Sequence, residues 1–387
     1  MLAINAGAMG EAFVTASGQF MPGPPVDNAR MVDFIGRLSP EAERFGRLTL
    51  RQNGIKTRHY AMKPDGSTDW TVATLGAKAV GDALERAALD PSEVSFLAAA
   101  TTQNDLLVPG FASGVHAASG LPPIEIASHQ SVCASAMMAF KNAVLNIKTG
   151  EHRAAIAVGA EFSSRFFRPG HYLGTASVDA DDCLPSDAEF LRWTLSDGAA
   201  AVVVEDGPAE RGLSLRVDWM SLRSFADRFE PCMTGGGARD GEALRPWSHF
   251  PSSGEAAAAG AFQLRQDVDA LYRMLPVWMG EFLRHVDEGR IDPGGTDWFL
   301  CHFSAHSLRQ EMVRLATKAG AMVAEDRWFT NLYEKGNAGA AAMFLLIDDF
   351  LRSGLAAPGQ KILCAVPESG QCIMAFAGLT VVEGKGA

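Results

Sequence analysis

Ser131-Val132-Cys133-Ala134-Ser135-Ala136-Met137-Met138-Ala139-Phe140 is the stretch that orders the rest of the chain, and no charge follows it before Lys141. Residues 124–126 read as a strand, Ser128-His129-Gln130 as a short polar link, and Cys133 as the opening of a helix that runs to about Lys148. Gly150 is placed to end that helix, because the position past a helix C-terminus often needs positive φ. A helix that is apolar all round is a buried one. Its first turn leaves N–H groups unpaired and carries the positive end of the helix dipole, and both favour a thiolate at Cys133. Set against this is the commoner role of a buried cysteine, an inert small hydrophobe.

Outward from this segment the same texture recurs. A first strand is expected within 11–19, followed by the Pro-rich turn Met21-Pro22-Gly23-Pro24-Pro25. A helix over 69–88 carries the apolar face Ala73, Ala77, Val80 and Leu84, and a buried strand follows over 94–100. Then come a polar loop, a helix near 109–119, and all-apolar strands at 154–159 and 198–204. The second half repeats the plan. A helix is expected over 267–287, a strand over 298–303, helices over 307–319 and 338–351, and strands over 362–366 and 372–377. Short all-apolar strands alternating with helices mark a sheet covered on both faces. Residues 1–210 and 211–387 therefore read as duplicated halves, and 224–262, the stretch with the weakest periodicity, reads as a loop or lid insertion.

Size and charge bound the function. At 387 residues the chain exceeds the usual single-core limit of about 250–300 residues. A net charge of −11 argues against a general nucleic-acid binder. The cysteines Cys133, Cys183, Cys232, Cys301, Cys364 and Cys372 are scattered without CxxC pairs, which is reduced, intracellular usage. Met1-Leu2-Ala3-Ile4-Asn5 lacks a basic segment followed by an apolar one, so no signal peptide is expected. No apolar run reaches the roughly 18 residues of a membrane span. The expectation is a cytoplasmic protein with no membrane partner and no nucleic-acid partner.

Histidine is the common partner of an activated cysteine. Among nine histidines, His302 stands at the C-terminal end of a buried strand, where open α/β sheets build their sites. Asn337 lies in Lys335-Gly336-Asn337-Ala338-Gly339-Ala340 at the start of an apolar helix, where a plain N-cap explains it equally well. Taken together these segments resemble the thiolase superfamily, in its β-ketoacyl-acyl carrier protein synthase III-like branch. Cys133 in Ser-Val-Cys-Ala-Ser-Ala matches the family nucleophile, the strand into His302 matches the family histidine, and Gly336-Asn337 matches the asparagine motif. Asn53-Gly54-Ile55 with Arg58, Gly159-Ala160-Glu161 through Arg165, Ser196-Asp197-Gly198-Ala199 and the loop at Gly370 fit as well.

The resemblance implies a five-layered αβαβα fold of two related halves and a homodimer. It implies an acyl-Cys133 intermediate condensed with a malonyl or β-ketoacyl thioester, with His302 and Asn337 holding the enolate. The backbone N–H groups of Cys133 and Gly370 would hold the oxyanion. It implies no cofactor and no metal, the acyl groups arriving on coenzyme A or on acyl carrier protein phosphopantetheine. Substrate or carrier contacts are expected at Arg165, Arg309, Arg314 and Lys318, the last two sharing a helix face. Three departures point to a specialised branch that resembles the ketosynthases of dialkylresorcinol and cyclohexanedione pathways. His302-Phe303-Ser304-Ala305-His306 replaces the usual His-Gln-Ala-Asn, Ala338-Gly339 follows Asn337, and Leu48 aligns with a tryptophan that stacks on coenzyme A. Some relatives of that branch transfer the acyl group to oxygen or nitrogen instead. Two rivals remain: a metal hydrolase using His302 and His306, four residues apart but without the Glu of His-Glu-x-x-His, and a non-catalytic partner subunit of the same fold. No Gly-x-Gly-x-x-Gly turn, P-loop or Gly-x-Ser-x-Gly elbow is present.

Overall fold

The computed structural model describes residues 9–176, 184, 186–240 and 243–386. Met1 to Asn5 and Cys183 lie outside them, as do residues 241–242 of the expected insertion. Ten strands are joined edge to edge: β1 (Phe13–Phe20), β2 (Phe96–Thr101), β3 (Glu125–Gln130), β4 (Ala154–Glu161), β5 (Gly198–Glu205), β6 (Leu213–Ser224), β7 (Trp298–Cys301), β8 (Trp328–Phe329), β9 (Lys361–Glu368) and β10 (Ile373–Glu383). Their spatial order is β8-β7-β9-β10-β6-β1-β5-β4-β2-β3. Read from either end, two parallel neighbours are followed by antiparallel ones, and the two half-sheets are joined through Phe13 and Val14 of β1 opposite Arg216 and Leu215 of β6.

The main helices are α1 (Pro40–Asn53), α2 (Val72–Ala87), α3 (Phe111–Ser119), α4 (Ser135–Lys148), α5 (Ser186–Arg192), α6 (Val268–Asp287), α7 (His306–Lys318) and α8 (Ala342–Arg352). Successive strand residues point to opposite faces, and this period sorts them into layers. Phe96, Ala98 and Ala100 of β2 and Ile362, Cys364 and Val366 of β9 join one core with α4 and α8. Leu97 and Ala99 face α2 and α3 on one outer side, whereas Leu363 and Ala365 face α6 and α7 on the other. The result is α2/α3, half-sheet, α4/α8, half-sheet, α6/α7: five layers in the order αβαβα. Phe140 meets Phe344 edge-on at 6.0 Å in the middle layer. Truncating either ring there costs about 3–5 kcal/mol.

Most expected elements are present, but the strands β6 and β8 are not announced by the sequence pattern, and the strand expected over 298–303 ends at Cys301. The polar link Ser128-His129-Gln130 belongs to β3, where it extends the parallel ladder with β2 through Thr101. Helix α4 begins at Ser135, two residues after Cys133 rather than at it. Helix α1 was not read from the sequence, although Ser39 caps it, Pro40 follows the cap and Gly54 ends it at φ 72°. The 224–262 stretch forms a hairpin (Gly237–Asp240 with Ala243–Pro246), a short helix (Ser253–Ala258) and the strand Met233–Thr234, which pairs with Arg265–Gln266. Its small core of Ala238, Ala256 and Ala261 packs on Trp247 and Phe250. Among the described residues no helix is long and apolar enough to cross a membrane.

Candidate active site

Cys133 sits in the turn between β3 and α4 and is 6% exposed. That turn is tied to the end of β9: Ser131 Oγ donates to Glu368 Oε1 at 2.7 Å, and the Ala134 N–H donates to Glu368 Oε2 at 3.1 Å. A buried carboxylate therefore already occupies the helix N-terminus. Desolvation pushes the Cys133 thiol well above its ordinary value, and the negative fields of Glu368 and Glu161 push it the same way. The thiolate expected from the helix dipole is thus not the resting form; Cys133 rests as a thiol.

His302 follows β7, and its N–H continues the ladder to the Ala365 carbonyl at 2.9 Å. Because Leu300 faces the middle layer, the next residue but one, His302, faces it too. The ring is 4% exposed, its Nε2 has no hydrogen-bond partner among the described residues, and desolvation lowers its pKa to about 4. It is a neutral imidazole at neutral pH. Asn337 is held by its main chain, whose carbonyl accepts from the Ser196 N–H at 2.8 Å. Its Oδ1 accepts from the Gly339 N–H at 3.0 Å, which leaves the amide N–H groups to point elsewhere. Asn337 is not the N-cap of α8; a 3-10 turn over Gly339–Ala341 intervenes.

These three side chains, far apart in the chain, line one narrow cleft. Glu161, Thr102 and Ser304 add polar groups, and Leu271, Leu275, Trp278 and Met312 form an apolar wall. Met233, from the 224–262 stretch, and Gln266, its partner on the paired strand, also line it. Gly370 lies in the turn between β9 and β10 and borders a larger outer groove, which shares Thr102, Val132 and Met233 with the cleft. Ser369, on the other side of the Gly370 peptide N–H, lines the cleft itself.

Three of the four cations expected at substrate or carrier are committed elsewhere. Arg165 pairs with Asp105, donates to the Gln103 carbonyl at 2.8 Å and lies against Phe162 and Phe166, so it holds the 103–105 loop. Arg309 pairs with Glu325 at 2.8 Å over Trp328, and Arg314 pairs with Glu311 at 2.5 Å. Lys318 is exposed at the end of α7. His306 Nδ1 bonds the Tyr333 hydroxyl at 2.7 Å, and His306 is not among the residues lining the cleft. By sequence Glu368 belongs to the turn Glu368-Ser369-Gly370-Gln371, but it ends β9 and reaches the Cys133 turn, while Glu161 stands in the sequence only as part of a matching segment.

Residues 56–169 match the family model described as the thiolase N-terminal domain. The whole architecture matches solved structures. AbyA1, a tetronic acid condensing enzyme, is 23% identical with a TM-score of 0.75, covering 95% of this chain and 99% of that one. The chain has the thiolase fold. Pseudomonas aeruginosa PAO1 3-oxoacyl-(acyl carrier protein) synthase III, FabH, is 20% identical at a TM-score of 0.70, covering 96% of this chain and 98% of that one. A variant of Xanthomonas campestris OleA, with lauric acid and lauroyl-CoA bound, is 16% identical at 0.75, covering 96% and 99%. The thiolase fold explains why residues from both halves reach one cleft: α4 starts, and β7 and β9 end, at the same side of the middle layer.

Proposed function

We propose that this chain is a condensing acyltransferase that works through an acyl-cysteine on Cys133. The observation that carries the reading is the convergence of Cys133, His302 and Asn337 on one cleft with an apolar wall. An acyl thioester passes its acyl group to the Cys133 sulfur, and the chain of that acyl group lies along Leu271, Leu275 and Trp278. A second thioester, malonyl or β-ketoacyl, provides the enolate that attacks the acyl carbon. Neutral His302 donates from Nε2 and Asn337 from Nδ2 to the enolate oxygen. The backbone N–H groups of Cys133 and Gly370 receive the tetrahedral oxyanion. Removing one such donor costs about 10²–10³-fold in kcat. No resident cofactor enters this scheme, and the five described cysteines, all free and buried, fit a reducing cytoplasm.

The test is intact-mass measurement after incubation with a panel of acyl-coenzyme A and acyl-carrier thioesters. The parent gains one acyl mass and Cys133→Ala gains none. His302→Ala and Asn337→Ala still acylate but release no condensed product. Product masses separate carbon–carbon bond formation from transfer to oxygen or nitrogen. Full turnover by Cys133→Ala would remove the nucleophile from the scheme and the reading with it.

A further inference from the structure

The halves of the molecule exchange a carboxylate. β4 and β9 occupy equivalent places in their half-sheets, each is eight residues long, and each ends in an inward-facing glutamate, Glu161 and Glu368. Glu368 receives the Ala134 N–H at the entrance to α4, and Glu161 receives the Ala340 N–H (3.0 Å) ahead of α8. The exchange is not symmetric. Glu368 is engaged on both oxygens and borders the outer groove. Glu161 takes all its bonds on Oε1, from the Thr102 N–H (3.1 Å), the Thr102 hydroxyl and the Ala340 N–H, and it lines the cleft with Cys133. Its Oε2 takes no hydrogen bond among the described residues, and the residue lines the same cleft as Cys133.

We propose that Glu161 is the general base that takes the proton of the Cys133 thiol. The proposal rests on the acyl-cysteine reading and names the residue that activates its nucleophile. Cys133 rests protonated, so a proton has to leave before the sulfur attacks. His302 is too weak a base to hold it, with a pKa lowered to about 4. Burial raises Glu161 to about 7 against the hydrogen bonds that favour its anion, which is where a base serves best near neutrality. The S–H proton moves to Glu161 Oε2, the sulfur forms its bond to the thioester carbon, and the bond to the leaving sulfur breaks. Glu161 returns the proton to that departing thiolate. The charged and titratable groups around this carboxyl are Cys133, His302 and, beyond Cys133, Glu368. Arg165 acts on it from the following turn while paired to Asp105, and Asp197 lies behind Ser164.

The experiment is the rate of Cys133 alkylation by iodoacetamide from pH 5 to 9, read by intact mass and peptide mapping, beside acylation by an acyl-coenzyme A. In the parent both rates rise with pH through a midpoint near 7. Glu161→Gln, which keeps the Oε1 acceptor, loses that step and reacts at least tenfold more slowly at pH 7.5. Thr102→Val leaves the carboxylate but removes a donor to its anion, so the midpoint moves to higher pH; this variant decides the matter if Glu161→Gln does not fold. An unchanged profile in Glu161→Gln, an unmoved midpoint in Thr102→Val, or a parent midpoint near 4 overturns the proposal. Acylation with an unchanged Glu161→Gln profile would refute Glu161 alone. A midpoint near 7 that responds to both variants, without acylation by any thioester, would refute the condensing reading alone.

Discussion

Gly336 decides where Asn337 can point. Its φ of 73° and ψ of −173° lie in a region essentially closed to other residues, and a Cβ there would stand 2.9 Å from Ser196 Cβ and 3.0 Å from Arg58 Cβ. Arg58 is itself fully buried and donates to Asn28 Oδ1 at 2.8 Å, so it has nowhere to retreat. Gly336→Ala is expected to cost about 1–3 kcal/mol in backbone strain and about 1–3 more in overpacking, measured by denaturant unfolding. Cys133 lies on a different loop, so acylation should survive better than condensation; a variant as stable as the parent would show that the contacts relax. At this scale the sequence is readable where a residue's role rides on a contiguous motif, as with Cys133, His302 and Asn337. It is opaque where the role comes from burial. Nothing in Gly159-Ala160-Glu161 says that the last carboxyl lines the same cleft as a thiol, and the partner of Arg309, Glu325, is found only through the fold. Arg314 is different: Glu311 stands one turn earlier on the same helix, a pairing that spacing alone announces.

Among the elements, α1 changes where a carrier would dock. Its end signals are all local: the Ser39 cap, Pro40, acidic residues in the first turn and Gly54 at the stop. Its polar outer face, however, lacks the apolar run that makes α4 conspicuous. Gly46 packs the helix onto Trp193, between the cleft residues Leu191 and Leu195, and Asn53 Nδ2 donates to the Trp193 carbonyl at 3.0 Å. Outward it presents Arg44, Arg47 and Arg51 around Leu48, all exposed and without an ion pair among the described residues. Positions 44, 47 and 51 share one face of a helix. On a chain of net charge −11 this is an unneutralised basic stripe, whereas Arg309 and Arg314 of α7 are neutralised. We propose α1 as the docking face for the acidic helix of an acyl carrier protein. Charge reversal of all three arginines is expected to slow acylation from a carrier-bound thioester by tenfold or more at low salt, through encounter rate. Acylation from a short N-acetylcysteamine thioester should hardly change. Equal loss with both substrates would remove α1 from the docking surface.

For the molecule as a whole, the layers were legible because the inner strands β2, β4, β5 and β9 are buried on both faces and apolar along most of their length. The edges were not legible, because Ser128, His129 and Gln130 read as a link and proved to be a strand. β3 is the end of the sheet, six residues long, and among the described residues its outer side has no neighbouring strand. Such an edge is a template for another strand unless something blunts it. Beside it the loop after β2 exposes Leu106, Leu107 and Val108 at 60%, 81% and 81%, and Leu106 and Leu107 border the same outer groove as His129 and Gln130. An apolar patch continuous with an open edge marks an interface. We propose a second copy as the occupant, since two β3 edges related by a twofold axis would extend the sheet and close both outer grooves. The expected solution mass is twice 41.2 kDa at micromolar concentration, by light scattering or native mass spectrometry. Leu107→Asp with Val108→Asp, both on the exposed loop and outside the core, should shift the population to monomer while the fold is retained by circular dichroism. A parent that runs at 41.2 kDa across this range would leave the edge to a different partner, and the double variant would then show no change in mass.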